Sequence, residues 1–325
     1  MNEEIRSTRE AFITAMLELA EESSKYLLVC ADSLLAMRAS AYKLQYPDRV
    51  FDVGIAEQNA VGFSAGLASS GFIPFVGTYA GFITMRACEQ VRTFVAYPGL
   101  NVKMIGINGG VFGGEREGVT HQFFEDIGIL RSMPGITIVT PADAAQTYKA
   151  TKEISVYDGP IYMRLGSGRE YSVFSEDDSF HIGKIRVIKQ YGNDVSIFAS
   201  GFVLKRVLDT VEVLKSQNIN ATVVEVHTLK PVDAESIASI LALTGCAVTV
   251  EDHNIIGGLG SVISEVSVEH VPVPLVRLGI QDVFPQSGEA KQLLDNYGMS
   301  SEDIINAVKK AMIKKERLQK ESIRR

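Results

Sequence analysis

Six segments of the chain place polar or glycine residues directly after apolar runs. They are Ala31-Asp32-Ser33, Gly54-Ile55-Ala56-Glu57-Gln58-Asn59, Gly77-Thr78-Tyr79, Asn108-Gly109-Gly110, Thr140-Pro141-Ala142-Asp143 and Arg164-Leu165-Gly166. If the runs are strands of an open α/β sheet, these are the carboxyl ends where ligands gather. All six fall in the first part of the chain, which makes that part the active-site domain. Glu57 is the sharpest of them. It opens a helix of very small residues, AVGFSAGLASSG, straight after a strand-like run. One reading is a first-turn acid that complements the helix dipole. The other is a residue placed for chemistry, on a helix slim enough for another backbone or subunit to come close.

The loop 109–121, GGVFGGEREGVTH, holds five glycines and ends in Thr-His, with Gln122 next. It lacks the G-x-G-x-x-G spacing of a dinucleotide fingerprint, and GGLGS at 257–261 reads as a tight strand-to-helix turn. The glycines suggest mobile backbone that delivers polar groups to a site. His121 is either a structural hydrogen-bonding residue or a catalyst. Arg9 and Arg164 are either surface charges or anion ligands; Arg164 ends an apolar strand, where a partly buried anion partner is plausible.

Short apolar runs alternate with helical stretches of ~10–15 residues, the pattern of a parallel sheet covered on both faces. In order they are the helix 9–22, YLLVC, VFDVG, the helix after Glu57, FIPFVGTY, a helix over 86–94, NVKMIGI, GITIVTP, a helix from Ala142 and PIYMRL. The polar, aperiodic stretch 166–178 marks a boundary. A second α/β pattern follows it: VSIFASG, a helix over 207–215, ATVVEVHTLKP, a helix from Asp233, AVTVEDH, a helix from Ser261 and PLVRLGI. The fold class is therefore α/β with two parallel or mixed-sheet domains: an active-site domain over 1–170, a linker over 171–190 and a scaffold or interface domain over 191–325.

With 325 residues, 46% hydrophobic and 22% charged, the chain is long enough for two ordinary domains. A net charge of −7 argues against a general nucleic-acid or acidic-membrane surface. The basic C-terminal run reads as a solvated helix end. Cys30, Cys88 and Cys246 are far apart and fit neither zinc nor a disulfide framework. The N-terminus lacks the apolar core of a signal peptide, and no apolar stretch reaches the ~18 residues of a membrane span. A cytoplasmic enzyme is the expectation.

Four segments together carry a resemblance: GIAEQNAVG, GTYAGFITMRACEQVR, GVTHQFFEDIGILRSMPGITIVTPAD and VEDHNIIGGLGS. They resemble the C-terminal half of transketolase, a pyrimidine-binding domain followed by the transketolase C-terminal domain, and the likeness runs from Ser7 to about residue 311. It implies thiamine diphosphate as coenzyme, with Glu57 hydrogen-bonded to N1′ of the aminopyrimidine. A carboxyl group there drives the ring toward its imino tautomer by proton sharing. Tyr79 and Phe82 would pack against the ring, although plain core packing is their other reading. Asp32 joins them on the coenzyme. His121 would line the substrate channel and act in catalysis. Arg9 and Arg164 would hold a sugar phosphate, with Asn108 and Glu117 also on the substrate.

The family holds the diphosphate and its Mg²⁺ with a GDG motif and a trailing asparagine, a hard-cation site of oxygen ligands. This chain has only Tyr157-Asp158-Gly159-Pro160. The resemblance thus implies a separate diphosphate-binding subunit that carries Mg²⁺, an α2β2 assembly in which this subunit self-associates, and a sugar phosphate substrate. Three departures touch the substrate. Asn108 stands where a histidine is usual, 114–118 reads GEREG in place of GEDG, so that Glu117 or Arg116 replaces the usual acid, and a phosphate-binding serine is missing near Ala36-Met37. They suggest an unusual anionic or modified sugar. A 1-deoxyxylulose-5-phosphate synthase, a 2-oxo-acid dehydrogenase beta subunit and a non-catalytic scaffold subunit are the competing readings.

Overall fold

The structure, a computed structural model, describes residues 5–114 and 116–323. Two sheets organise the chain. In the first, six strands run parallel in the order Val50–Asp52, Tyr26–Cys30, Ile73–Tyr79, Lys103–Ile107, Ile161–Arg164, Thr137–Val139. Alternate residues of these strands feed two separate cores, as the period-2 pleat requires. Val76, Met104 and Tyr162 enter one core, with Ala60, Val61, Ile83 and Val91. Phe75, Ile105 and Met163 enter the other, with Phe12, Met16 and Leu19. Both faces are covered by helices, so the continuous apolar runs are fully buried strands.

Helix boundaries follow local chemistry. Ser7 caps the helix Thr8–Glu22 by accepting from Glu10 N (3.2 Å), and Asp143 caps Ala144–Val156 by accepting from Gln146 N (2.9 Å). The stretch expected as one helix over 86–94 is instead two wide π-type turns, Phe82–Arg86 and Val91–Ala96, flanking Cys88–Gln90. Such turns add a residue to the helical ring and displace side chains sideways, often at functional sites.

The second sheet runs Leu275–Ile280, Ala247–Asn254, Val195–Ser200, Ala221–Glu225, with Arg186–Gln190 antiparallel at its edge. This last strand lies inside the stretch 171–190, expected as linker. The run ATVVEVHTLKP, expected as one strand, divides. Ala221–Glu225 belongs to the second sheet, and Thr228–Lys230 crosses back to pair antiparallel with Thr137–Val139 of the first. The chain is α/β with one predominantly parallel sheet per domain. No helix among the described residues is long and apolar enough to cross a membrane.

Candidate active site

Because the strands of the first sheet are parallel, their carboxyl ends share one edge. Glu57 begins the helix Glu57–Ser69 at this edge, one residue after Ala56, its capping position. It is 2% exposed. Its Oε1 accepts from Arg86 Nη1 at 2.8 Å, while Oε2 is buried without a hydrogen-bond partner among the described residues. A buried carboxylate oxygen left unpaired is costly and calls for a proton or a partner. The slimness of the helix serves internal packing in part, since Gly62 lies against the Phe94 ring.

An aromatic group stands beside this carboxylate. Ring centroids of Tyr79 and Phe82 are 5.5 Å apart, and His121 meets both edge-on, at 4.9 and 5.3 Å. Phe123 adds a fourth ring, 5.2 Å from Phe82. The Arg86 guanidinium lies 4.1 Å over Phe82. Edge-to-face packing of this kind fixes ring orientations. His121 Nδ1 is 3.0 Å from Thr120 Oγ1, so its ring is set by its own neighbour as well.

From Tyr79 a polar chain leads away. Tyr79 Oη donates to Glu117 Oε1 over a long 3.4 Å, and Asn108 Nδ2 donates to Glu117 Oε2 at 2.7 Å. The Asn108 carbonyl accepts from Arg9, whose other donors go to Gly166 O (3.0 Å) and Ala36 O (2.8 Å). Burial lowers the Arg9 pKa, and nearby Arg38 lowers it further; burial and the Glu117 carboxylate raise that of Tyr79. Asn108 adopts a left-handed backbone (φ 56°), which its short polar side chain tolerates better than most. Glu57, Arg86, Phe82, His121, Tyr79, Glu117, Asn108 and Arg9 thus form one continuous series of contacts.

Two expected residues lie elsewhere. Arg164 turns inward: its Nε donates to Asp126 Oδ2 (2.8 Å) and its Nη2 to Phe123 O (2.9 Å) and Asp252 O (3.0 Å). It is 4% exposed, and Asp126 and Asp252 raise its pKa against the effect of burial. It ties three segments together in place of facing an open phosphate site. Asp32 has an exposed side chain, and the residue contributes a backbone N–H to Asp52 Oδ1 (2.9 Å). Met37, where a serine is missing, points into the core against Gly77. Arg116 leans away from the cluster, to Glu289 at 3.6 Å.

The glycine loop is held, not free. Asp252, from the second domain, accepts from Val111 N (2.9 Å) and Phe112 N (3.1 Å) and so fixes the short turn Gly110–Gly113. A Cβ at Gly110, itself at φ 79°, would stand 2.0 Å from Asp252 Oδ2. Here glycine is required by close packing and a left-handed backbone. Farther along, Gln122 Nε2 donates to Gln286 O at 3.1 Å. Arg86, Asp126 and Asp252 join the site without a motif that singles them out. For Asp252 a clue was present in VEDH, three ionisable residues ending an apolar strand. The Tyr157-Asp158-Gly159-Pro160 turn has a structural use: Lys103 Nζ donates to Tyr157 O (2.5 Å) and Gly159 O (2.9 Å).

Fold and site together define a two-domain α/β protein with a carboxylate-and-aromatic site at the carboxyl edge of its first sheet. Family models give the particular assignment. The transketolase pyrimidine binding domain matches residues 5–169, and the transketolase C-terminal domain matches residues 183–304. The chain belongs to the transketolase family.

It is 39% identical to the 6-deoxy-6-sulfo-D-fructose transketolase subunit SqwH of Clostridium sp. (strain MSTE9), over 92% of each chain. It is 37% identical to one of the subunits of the apulose-4-phosphate transketolase of Phocaeicola vulgatus, over 91% of this chain and 94% of that one. A solved structure described as a split gene transketolase, inactive beta4 tetramer, superposes with a TM-score of 0.87 at 38% identity, covering 95% of this chain and 99% of that one. 1-Deoxy-D-xylulose-5-phosphate synthases also match, but there the chain spans about half of the relative, 48% in one case.

Proposed function

We propose that this chain is the pyrimidine-side subunit of a split, thiamine-diphosphate-dependent transketolase. It moves a two-carbon ketol unit from an anionic, non-standard ketose to an aldose, in the cytoplasm and together with a separate diphosphate-binding subunit. The observation that carries the coenzyme reading is the buried, unpartnered Glu57 Oε2, on a carboxylate that Arg86 links to the Phe82 and Tyr79 rings. An unsatisfied acceptor next to flat apolar surface suits an aminopyrimidine, which offers in-plane nitrogens and two aromatic faces.

When bound, the coenzyme supplies a carbanion and an electron sink for cleavage next to a carbonyl. The residues of this chain do the rest. Glu57 shares a proton at the ring nitrogen. Tyr79 and Phe82 bury the ring and exclude water. His121, packed edge-on against both, is the group that hydrogen-bonds a substrate oxygen in this reading. Asn108 and Glu117 read hydroxyl groups, since together they present an amide and a carboxylate held in fixed relation. Arg9, with exposed Arg38 beside it, supplies positive charge for the anionic end of the sugar. Arg164 and Asp126 act at one remove by anchoring the carbonyl of Phe123.

Tyr157-Asp158-Gly159-Pro160 wraps a lysine, and the sequence offers no GDG motif, so the diphosphate and Mg²⁺ fall to the partner. Relatives named for a sulfonated and for a phosphorylated sugar support an anionic substrate outside the usual set, as do Asn108 and Glu117. The test is reconstitution of the chain with its diphosphate-binding partner, followed by a screen of anionic ketoses as donors. Turnover of xylulose 5-phosphate with ribose 5-phosphate as good as any other pair would refute the non-standard substrate. A stable, coenzyme-free assembly without ketol transfer would return the scaffold reading.

A further inference from the structure

Glu57 is 2% exposed, whereas the residue that covers it, Arg86, has 46% of its side chain exposed. A carboxylate that must reach a coenzyme is shut off by a side chain that itself stands half in water. Arg86 makes two contacts, and each has a particular form. Its Nη1 is 2.8 Å from Glu57 Oε1, and its Cζ lies 4.1 Å over the centre of the Phe82 ring. A guanidinium is flat and delocalised, donates hydrogen bonds in its own plane and stacks through its face. A protonated aminopyrimidine has the same three properties.

We propose that Arg86 stands in for the aminopyrimidine in the unassembled chain, occupying Glu57 and Phe82 until the coenzyme displaces it. The proposal rests on the coenzyme reading of Glu57 given above. Its physical basis is the cost of an uncompensated buried carboxylate. With Oε2 already unpaired, loss of Arg86 would leave Glu57 without a partner at either oxygen. The stand-in therefore protects the fold before assembly. A half-exposed cation keeps part of its hydration, so the pair can be broken without the penalty of a buried one. The wide π-type turn Phe82–Arg86 sets ring and cation over one another within a single element. Coenzyme binding then becomes an exchange, and its apparent affinity is reduced by the fraction of chains in which Arg86 is in place.

The test uses the full chain as wild type, Arg86→Gln and Arg86→Lys, with folding checked by circular dichroism. In the isolated chain, labelling of Glu57 by a water-soluble carbodiimide and an amine is read by mass spectrometry. Arg86→Gln should raise it about fivefold or more, with Arg86→Lys between the two. In the complex with the diphosphate-binding subunit, thiamine diphosphate and Mg²⁺ are titrated calorimetrically. Arg86→Gln should bind the coenzyme about threefold to tenfold more tightly than wild type. Weaker binding in Arg86→Gln, restored in Arg86→Lys, would make Arg86 a positioning residue of the loaded site and overturn the proposal. Unchanged coenzyme binding in Glu57→Gln would remove the coenzyme reading itself, and the proposal with it.

Discussion

Asn108 Nδ2 donates to Glu117 Oε2 at 2.7 Å, joining the end of a buried strand to an exposed loop. The other end of the same amide accepts from Arg9. An amide can receive a cation on one side and donate to an anion on the other. The pair therefore links the proposed anion-binding arginine to the carboxylate proposed to read the sugar.

Glu117→Gln keeps the shape of that link and removes its charge. Glu117 is exposed, so thermal stability should stay near that of wild type. The KM for the donor ketose should rise about tenfold, the worth of one charge-assisted hydrogen bond, with kcat little changed. Steady-state kinetics of the reconstituted complex check this, and an unaltered KM would place the sugar elsewhere.

Glu57→Gln should lower turnover by about 10²–10⁴ while subunit assembly survives. Analytical ultracentrifugation separates a lost assembly from a lost proton partner. Activity within about tenfold of wild type would end the assignment of Glu57 to acid–base work.

Asp252→Ala strips two buried N–H groups, those of Val111 and Phe112, of their acceptor. Each such group costs about 1–3 kcal/mol, so a fall in Tm on the order of 5 °C is expected. Proteolysis should reveal the change first between 109 and 121, the loop that Asp252 holds. Cleavage unchanged there would show the loop to be supported by other contacts.

Burial pushes the Glu225 carboxyl up to about 8, with Gln146 Nε2 on one oxygen and the other oxygen unpaired among the described residues. The folded state therefore holds a proton that the unfolded chain gives up near its ordinary 4.5. By linkage, this group lowers stability as pH rises between about 4.5 and 8. Glu225→Gln should match wild type near pH 5 and exceed it at pH 8 to 9, as read by urea unfolding at each pH. The buried His227, lowered to about 4, acts in the opposite sense below pH 6.5 and bounds the usable window on the acid side.

Much of the site was legible because strand ends announce themselves. Glu57, Tyr79 and Asn108 each follow an apolar run, and parallel strands bring such ends to one edge. His121 was legible from its motif, and its contacts join it to the same aromatic group. Arg164 follows an apolar run too, yet a strand-end arginine can turn outward to an anion or inward to a carboxylate. The choice depends on Asp126 and Asp252, 38 and 88 residues away, which no local pattern connects to it. Arg86 was hidden for a similar reason, since its helical neighbours say nothing of a glutamate 29 residues earlier. The division of 221–231 between two sheets was masked by a run of uniformly strand-forming residues, in which the turn at Val226-His227 carries neither glycine nor proline.

That division reaches beyond packing. Thr228–Lys230 belongs by position to the second domain but closes the edge of the first sheet. A polypeptide cut between the two family domains would leave Thr137–Val139 with bare N–H and C=O groups, a template for pairing with any passing strand. The second domain therefore shields the first within one polypeptide, and a truncation before Thr228 should leave the first domain prone to self-association through that edge.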